Sequence, residues 1–202
     1  MHNQLKFSDA PEYLRGNTAG TEELEQYSTG HDFNECLAFS HAAEDMPFWE
    51  ECYKKAFPTF INMKSNRHNM KYQRLGVDRI VTIGPEEKRI YIDEKVRRAW
   101  YGDILLEYYS VYNARQQAPG WVCKPLFCDY IAYAVLPIKK CFLLPTIQLQ
   151  TAWRKNGEYW KKTYKLIEAQ QKHRQYVTKC VAIPVNELYK EVGQCLRVDI
   201  DD

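Results

Sequence analysis

Apolar and polar positions alternate along two adjoining stretches, 76–83 and 89–97, separated by Gly84-Pro85-Glu86-Glu87-Lys88. β-Branched residues dominate the first stretch, and the pattern predicts two strands joined by a short turn. Strand side chains alternate between faces, so Tyr91, Asp93, Lys95 and Arg97 share one face. Ile90, Ile92, Glu94 and Val96 share the other. A different period governs 45–60. Trp49, Tyr53, Ala56 and Phe60 recur at helical spacing, and Phe48, Cys52 and Phe57 widen the stripe. Asp45 can cap this helix and Pro47 suits its first turn. Glu50 and Glu51 flank the stripe on opposite sides. Segment 61–70 is polar and basic and reads as a loop.

The later chain predicts a strand over 103–112, with Asp103, Leu105 and Glu107 on one face, and a turn over 114–120. Residues 121–136 form the densest apolar run, expected as a central strand covered on both sides, with Asp129 inside it. A turn over 137–140 leads to a short strand over 141–144. Two helices are expected at 145–155 and 158–174, split at Asn156-Gly157, the second basic and aromatic on its exposed face. A strand over 176–183, a helix over 184–195 and a frayed acidic tail over 199–202 complete the series. The fold class is α/β (α+β), a central mixed β-sheet flanked by helices. By composition residues 1–40 form a loosely ordered arm and 41–202 one domain.

Composition changes this picture little. Hydrophobic residues at 45% and charged residues at 27% are ordinary for a globular protein. A net charge of +2 is too mild to identify a nucleic-acid partner by itself. The 7 cysteines contain no CxxC pair and the histidines show no zinc spacing, which points to reduced, buried thiols. The polar N-terminal stretch predicts no secretory leader, and the sequence has no run approaching the ~18 apolar residues of a membrane span and no phosphate-binding glycine loop. A cytoplasmic protein is expected.

The chemistry concentrates on the paired strands. Asp78 precedes the first, and Asp93 stands two residues before Lys95 on the second. Mg²⁺ takes one or two carboxylates and retains several waters. Asp78 and Asp93 can supply these, with the main-chain carbonyl of Glu94 as a third ligand. Lys95 could then position an attacking water and offset charge growing on a phosphate. The competing reading is an edge strand on which Asp93 and Lys95 simply pair. Glu107 is a candidate accessory ligand, and Asp129 is either a hydrogen-bonded carboxylate or a neighbour of the metal. Lys64, Arg67 and Arg97 are candidates to contact a nucleic-acid backbone.

Gly76-Val77-Asp78, a hairpin and Ile92-Asp93-Glu94-Lys95 together resemble the PD-(D/E)xK nuclease superfamily. The resemblance spans roughly residues 45–136, with Val77 where the superfamily's proline stands. It implies a restriction-endonuclease-like core and hydrolysis of DNA, in a phage or bacterial setting. It implies Mg²⁺ as cofactor, with Mn²⁺ able to substitute, and Asp78, Asp93 and Lys95 as the catalytic set. A helical glutamate, Glu50 or its neighbour Glu51, would complete that set. The alternative function is an inactive nuclease fold that binds nucleic acid or inhibits another protein. The oligomeric state stays open, a homodimer included.

Overall fold

The computed structural model describes residues 46–170, 175–193 and 196–200. The arm predicted over 1–40, the capping Asp45, and Asp201 and Asp202 lie outside the described residues. Helix α1 (Phe48–Ala56) leads into strand β1 (Phe60–Ser65) and a short helix α2 (Met70–Arg74). Strands β2 (Arg79–Ile83) and β3 (Lys88–Arg97) form the central hairpin, followed by β4 (Asp103–Tyr112) and β5 (Gln117–Pro119). Strands β6 (Tyr130–Val135) and β7 (Lys140–Pro145) precede the long helix α3 (Thr146–Thr163). Strands β8 (Leu166–Gln170) and β9 (Val177–Pro184), helix α4 (Val185–Val192) and strand β10 (Leu196–Asp199) follow.

The strands form two sheets. The larger has the order β1-β2-β3-β6-β7-β10, and the smaller the order β5-β4-β9-β8. Among the described residues only the β3–β6 pairing is parallel; the other neighbours run antiparallel. The architecture is therefore mixed α+β, with a mixed central sheet flanked by helices.

Alternation along β3 and β6 sends residues to two different cores. Helix α1 covers one face with Phe48, Trp49, Cys52 and Tyr53, packed with Val81, Ile90, Ile92 and Ala132. On the other face Ile131, Tyr133, Phe142 and Leu144 meet Ile104, Leu106, Val181 and Ile183 of the small sheet, with Leu149 and Trp160 of α3 and Leu188 of α4. Strand β6 is covered on both faces, as its apolar run predicts, but the strand occupies only its last part. Residues 121–129 form the connection into it.

Several predicted elements are corrected. Segment 61–70 is not a loop. It contains most of β1, an edge strand whose side chains are mostly exposed, so it carries little alternation to read. It also holds the start of α2, capped by the Asn69 side chain, which accepts from the N–H groups of Lys71 and Tyr72. The predicted turn over 114–120 includes β5. The two helices expected over 145–174 are one helix that runs through Asn156-Gly157 and ends at Thr163, and β8 takes up part of the remainder. A Cβ on Gly157 would lie 3.0 Å from the Trp153 ring, so glycine here makes room for tryptophan packing instead of ending the helix. Asp199, expected in a frayed tail, closes the sheet in β10.

Candidate active site

The β2–β3 register decides whether Asp78 and Asp93 face the same side of the sheet. Arg79 pairs with Ile92, and the Asp78 N–H donates to the Ile92 carbonyl at 2.9 Å. Asp78, one residue ahead of β2, therefore stands beside Asp93 on the same face of the hairpin. The chain reaches this position through Gly76, whose φ of +69° favours glycine. A Cβ at Gly76 would also lie 2.4 Å from Leu126 Cδ2. Asp78 Oδ2 accepts the Glu94 N–H at 2.9 Å, and its Oδ1 accepts from Gln73 Nε2 at 3.3 Å.

Asp93 is buried, at 4% exposure. Its Oδ1 accepts from Lys95 Nζ at 2.7 Å. Its Oδ2 is buried and has no hydrogen-bond partner. Burial pushes the Asp93 carboxyl up to about 7; the Lys95 charge opposes this and the nearby Asp78 carboxylate adds to it. Burial works against the Lys95 charge, but Asp93 and Asp78 more than offset it and hold the ammonium above the usual lysine range. Lys95 Nζ also lies 3.4 Å from the Glu94 carbonyl oxygen. One carboxylate oxygen, one backbone carbonyl and one ammonium thus meet beside a second carboxylate.

The Glu94 side chain points to the opposite layer. It accepts from the Tyr53 hydroxyl of α1 at 2.6 Å and from Arg79 Nε and Nη2 at 2.9 and 3.0 Å. Burial raises the Glu94 carboxyl, and the Arg79 hydrogen bonds and charge counter this. The residue between Asp93 and Lys95 is therefore anchored on one face while its neighbours occupy the other.

Strand β4 closes the site from the small sheet. Arg97 Nη1 donates to the Asp103 carbonyl at 2.9 Å and pairs with the Asp103 carboxylate. The Leu105 N–H donates to the Tyr133 hydroxyl at 3.2 Å. Glu107 shares its face of β4 with Asp103, and its main-chain carbonyl accepts the Val122 N–H at 3.2 Å. Burial raises the Glu107 carboxyl, and the Lys95 charge is the first influence that lowers it.

The structure brings Asp78, Asp93 and Lys95 together, with the Glu94 carbonyl beside them, and it does not bring Glu50 there. Glu50 pairs with Lys54 at 2.6 Å on the outer surface of α1, and Glu51 is exposed. The reason is topological: α1 packs on Ile90 and Ile92, the face of β3 opposite Asp93. Arg97, a backbone-binding candidate, pairs its guanidinium with Asp103 and sits 5.0 Å from the Tyr101 ring centre. Lys64 is exposed on edge strand β1, and Arg67 is half-buried in the turn that follows. Asp129 accepts the Tyr91 N–H at 2.8 Å, so it takes the hydrogen-bonded role. Arg79, the buried partner of Glu94, was missed. Its signal is a cation on the neighbouring strand, diagonal to Glu94 and on the same face of the hairpin.

No group of three His, Cys, Asp or Glu side chains able to hold a metal occurs among the described residues. A hard cation here would rest on two carboxylates, a main-chain carbonyl and water, a donor set that suits Mg²⁺. The orphaned Asp93 Oδ2 fits such a cation. No family model, curated protein or solved structure matches the chain. No helix among the described residues is long and apolar enough to cross a membrane.

Proposed function

We propose that this protein is a metal-dependent nuclease that hydrolyses DNA phosphodiester bonds, built on a restriction-endonuclease-like core. The observation that carries this reading is Asp93 Oδ2, a buried carboxylate oxygen with no donor, set beside a second carboxylate. An unpaired buried acceptor and two crowded carboxylates both cost stability. A divalent cation would relieve both costs.

Asp78 and Asp93 would hold the cation, with the Glu94 carbonyl as a backbone ligand. When bound, Mg²⁺ or Mn²⁺ neutralises a phosphate oxygen and lowers the pKa of a water. Lys95 supplies a fixed positive charge where negative charge develops on the phosphate, and it orients the attacking water. Glu94, tied to Tyr53 and Arg79, keeps β3 from shifting as the substrate enters.

The test is cleavage of labelled DNA, single- and double-stranded, with Mg²⁺ or Mn²⁺. Asp93→Ala and Lys95→Ala should each reduce the rate by about 10³-fold or more while circular dichroism stays native. Undiminished cleavage by either variant, or by the wild type in EDTA, would refute the proposal. Salt-sensitive DNA binding without cleavage under any divalent cation would instead favour a binding module.

A further inference from the structure

One edge of the candidate site is built of aromatic rings. Tyr91 precedes Asp93 by two residues on β3 and shares its face, about 7 Å away along the strand. The Tyr72 ring of α2 stacks on the Tyr91 ring, with centroids 6.4 Å apart and planes 22° apart. The Phe127 ring meets Tyr91 edge-on, at 6.2 Å and 66°. Phe127 is 64% exposed, so the row of rings ends at the surface.

Hydrogen bonds brace this row. Phe127 N–H donates to the Leu75 carbonyl at 2.9 Å, and Asp129 N–H donates to the Tyr91 carbonyl at 2.7 Å. Asp129 Oδ2 accepts the Tyr91 N–H in return at 2.8 Å. The row is also tied to the carboxylates. Gln73, next to Tyr72 in the chain, donates to Asp78 Oδ1 at 3.3 Å, and the Val77 N–H donates to the Tyr72 carbonyl at 3.0 Å. A phenylalanine exposed on its own needs no explanation, but this one ends a braced row of rings that begins beside Asp78. Cations flank the rings. Lys71 and Arg74 are exposed on α2, and Arg89 is exposed on the Tyr91 face of β3. Rings that stack on bases, with cations that meet phosphates, are the recognition chemistry of an unpaired nucleic-acid strand. A paired base keeps its faces inside the stack and reaches such a ring only by unstacking.

We infer that Phe127 and Tyr91, backed by Tyr72, form a stacking platform for an unpaired stretch of DNA beside the proposed metal site. The inference rests on the nuclease reading above and narrows its substrate to DNA with an unpaired strand.

The test is DNA binding by the full chain carrying Asp93→Asn, in EDTA. On the nuclease reading this parent cannot cleave, and it sets one carboxylate less against the DNA backbone. Fluorescence anisotropy compares a labelled single strand with the blunt duplex of the same length at one salt concentration. The parent should bind the single strand about fivefold or more tightly than the duplex. Adding Phe127→Ala or Phe127→Leu should weaken single-strand binding by about fivefold or more and leave duplex binding within about twofold, and Phe127→Trp should restore the loss. Leucine keeps the apolar surface but removes the ring, and unchanged melting temperatures check that the variants fold. A fluorescent purine analogue in the strand should be quenched by the parent and not by the Phe127→Leu variant. Arg89→Gln should lower the log–log salt slope of single-strand binding by about 0.7. Equal single-strand affinity with and without Phe127→Leu, or tighter binding of the blunt duplex, would overturn the platform and leave the nuclease reading untouched. Ring-dependent single-strand binding in a protein whose wild type cleaves no DNA with Mg²⁺ or Mn²⁺ would uphold the platform and refute the nuclease reading alone. Absence of binding to either DNA would overturn both.

Discussion

At the scale of single residues, Asp93 is placed at a cost that its chemistry explains. Its carboxyl is pushed up to about 7 by burial, with Asp78 adding to the effect, whereas an unfolded aspartate ionises near ~3.9. Between these two values the folded state holds a proton that the unfolded state has lost. The stability of the cation-free protein should therefore fall as pH rises from about 4 to about 7 and level off above that. Three pKa units set an upper bound of about 4 kcal/mol. Lys95 returns part of this, because its own charge is stabilised in the fold. Asp93→Asn should thus be more stable than the wild type at pH 8 in EDTA, by about 1–2 kcal/mol, and the gain should shrink toward pH 4. Urea unfolding at both pH values measures it, and a destabilised Asp93→Asn at pH 8 would contradict the account. Alternation within a strand fixes that Asp93 and Lys95 share a face, whereas the facing of Asp78 depends on the β2–β3 register. The sequence could not rule out Glu50, since the face of the sheet that a helix covers is decided by contacts with residues some forty positions away.

At the scale of elements, β3 is held from two sides, and Glu94 is its anchor on the α1 side. The Arg79–Glu94 pair is almost wholly buried, with side chains at 6% and 3% exposure. Removing one member of such a pair leaves a buried charge uncompensated, at about 3–5 kcal/mol, whereas replacing both with apolar residues of similar size is often near neutral. Arg79→Met should therefore be strongly destabilising, and Arg79→Met with Glu94→Leu should recover most of that loss in urea unfolding. Failure of the double variant to recover would show that the pair's hydrogen bonds, and not its net charge, hold the strand. The strands that were legible, β2, β3, β4, β7 and β9, carry β-branched or aromatic residues in alternation. Those that were not, β1, β5, β8 and β10, lie at sheet edges, where partner strands override weak local signals. Leu166–Gln170 is composed largely of good helix formers, yet it pairs with β9 along its whole length. Asn156-Gly157 misled in the opposite direction, because a local helix breaker was absorbed by the packing of Trp153.

At the scale of the whole molecule, the candidate site lies where two sheets meet. Asp78 and Asp93 come from the hairpin of the larger sheet, and Asp103, the partner of Arg97 at the end of the same strand, comes from the smaller one. Apart from the Arg97–Asp103 pair across a short connection, the contacts described between these sheets are distant in sequence, so their convergence could not be read from periodicity. The same geometry makes cation binding a property of the assembled fold: the unfolded chain does not hold Asp78 against Asp93. A ligand that binds only the folded state stabilises it by about 2.7 kcal/mol at a hundredfold excess over its dissociation constant. For a chain of this length each kcal/mol moves the melting temperature by about 2–4 °C. Saturating Mn²⁺ should therefore raise the melting temperature by about 5–10 °C at pH 8. The shift should be smaller at pH 5.5, where Asp93 keeps its proton in the cation-free fold and the metal must displace it. Asp78→Asn should abolish the shift, and Glu50→Gln should leave it intact because Glu50 sits on the far side of the sheet. Scanning calorimetry with Mn²⁺, and again after EDTA, reads all three. An equal shift in Asp78→Asn would place the cation elsewhere on the molecule, and a shift lost in Glu50→Gln would mean that α1 reaches the site after all.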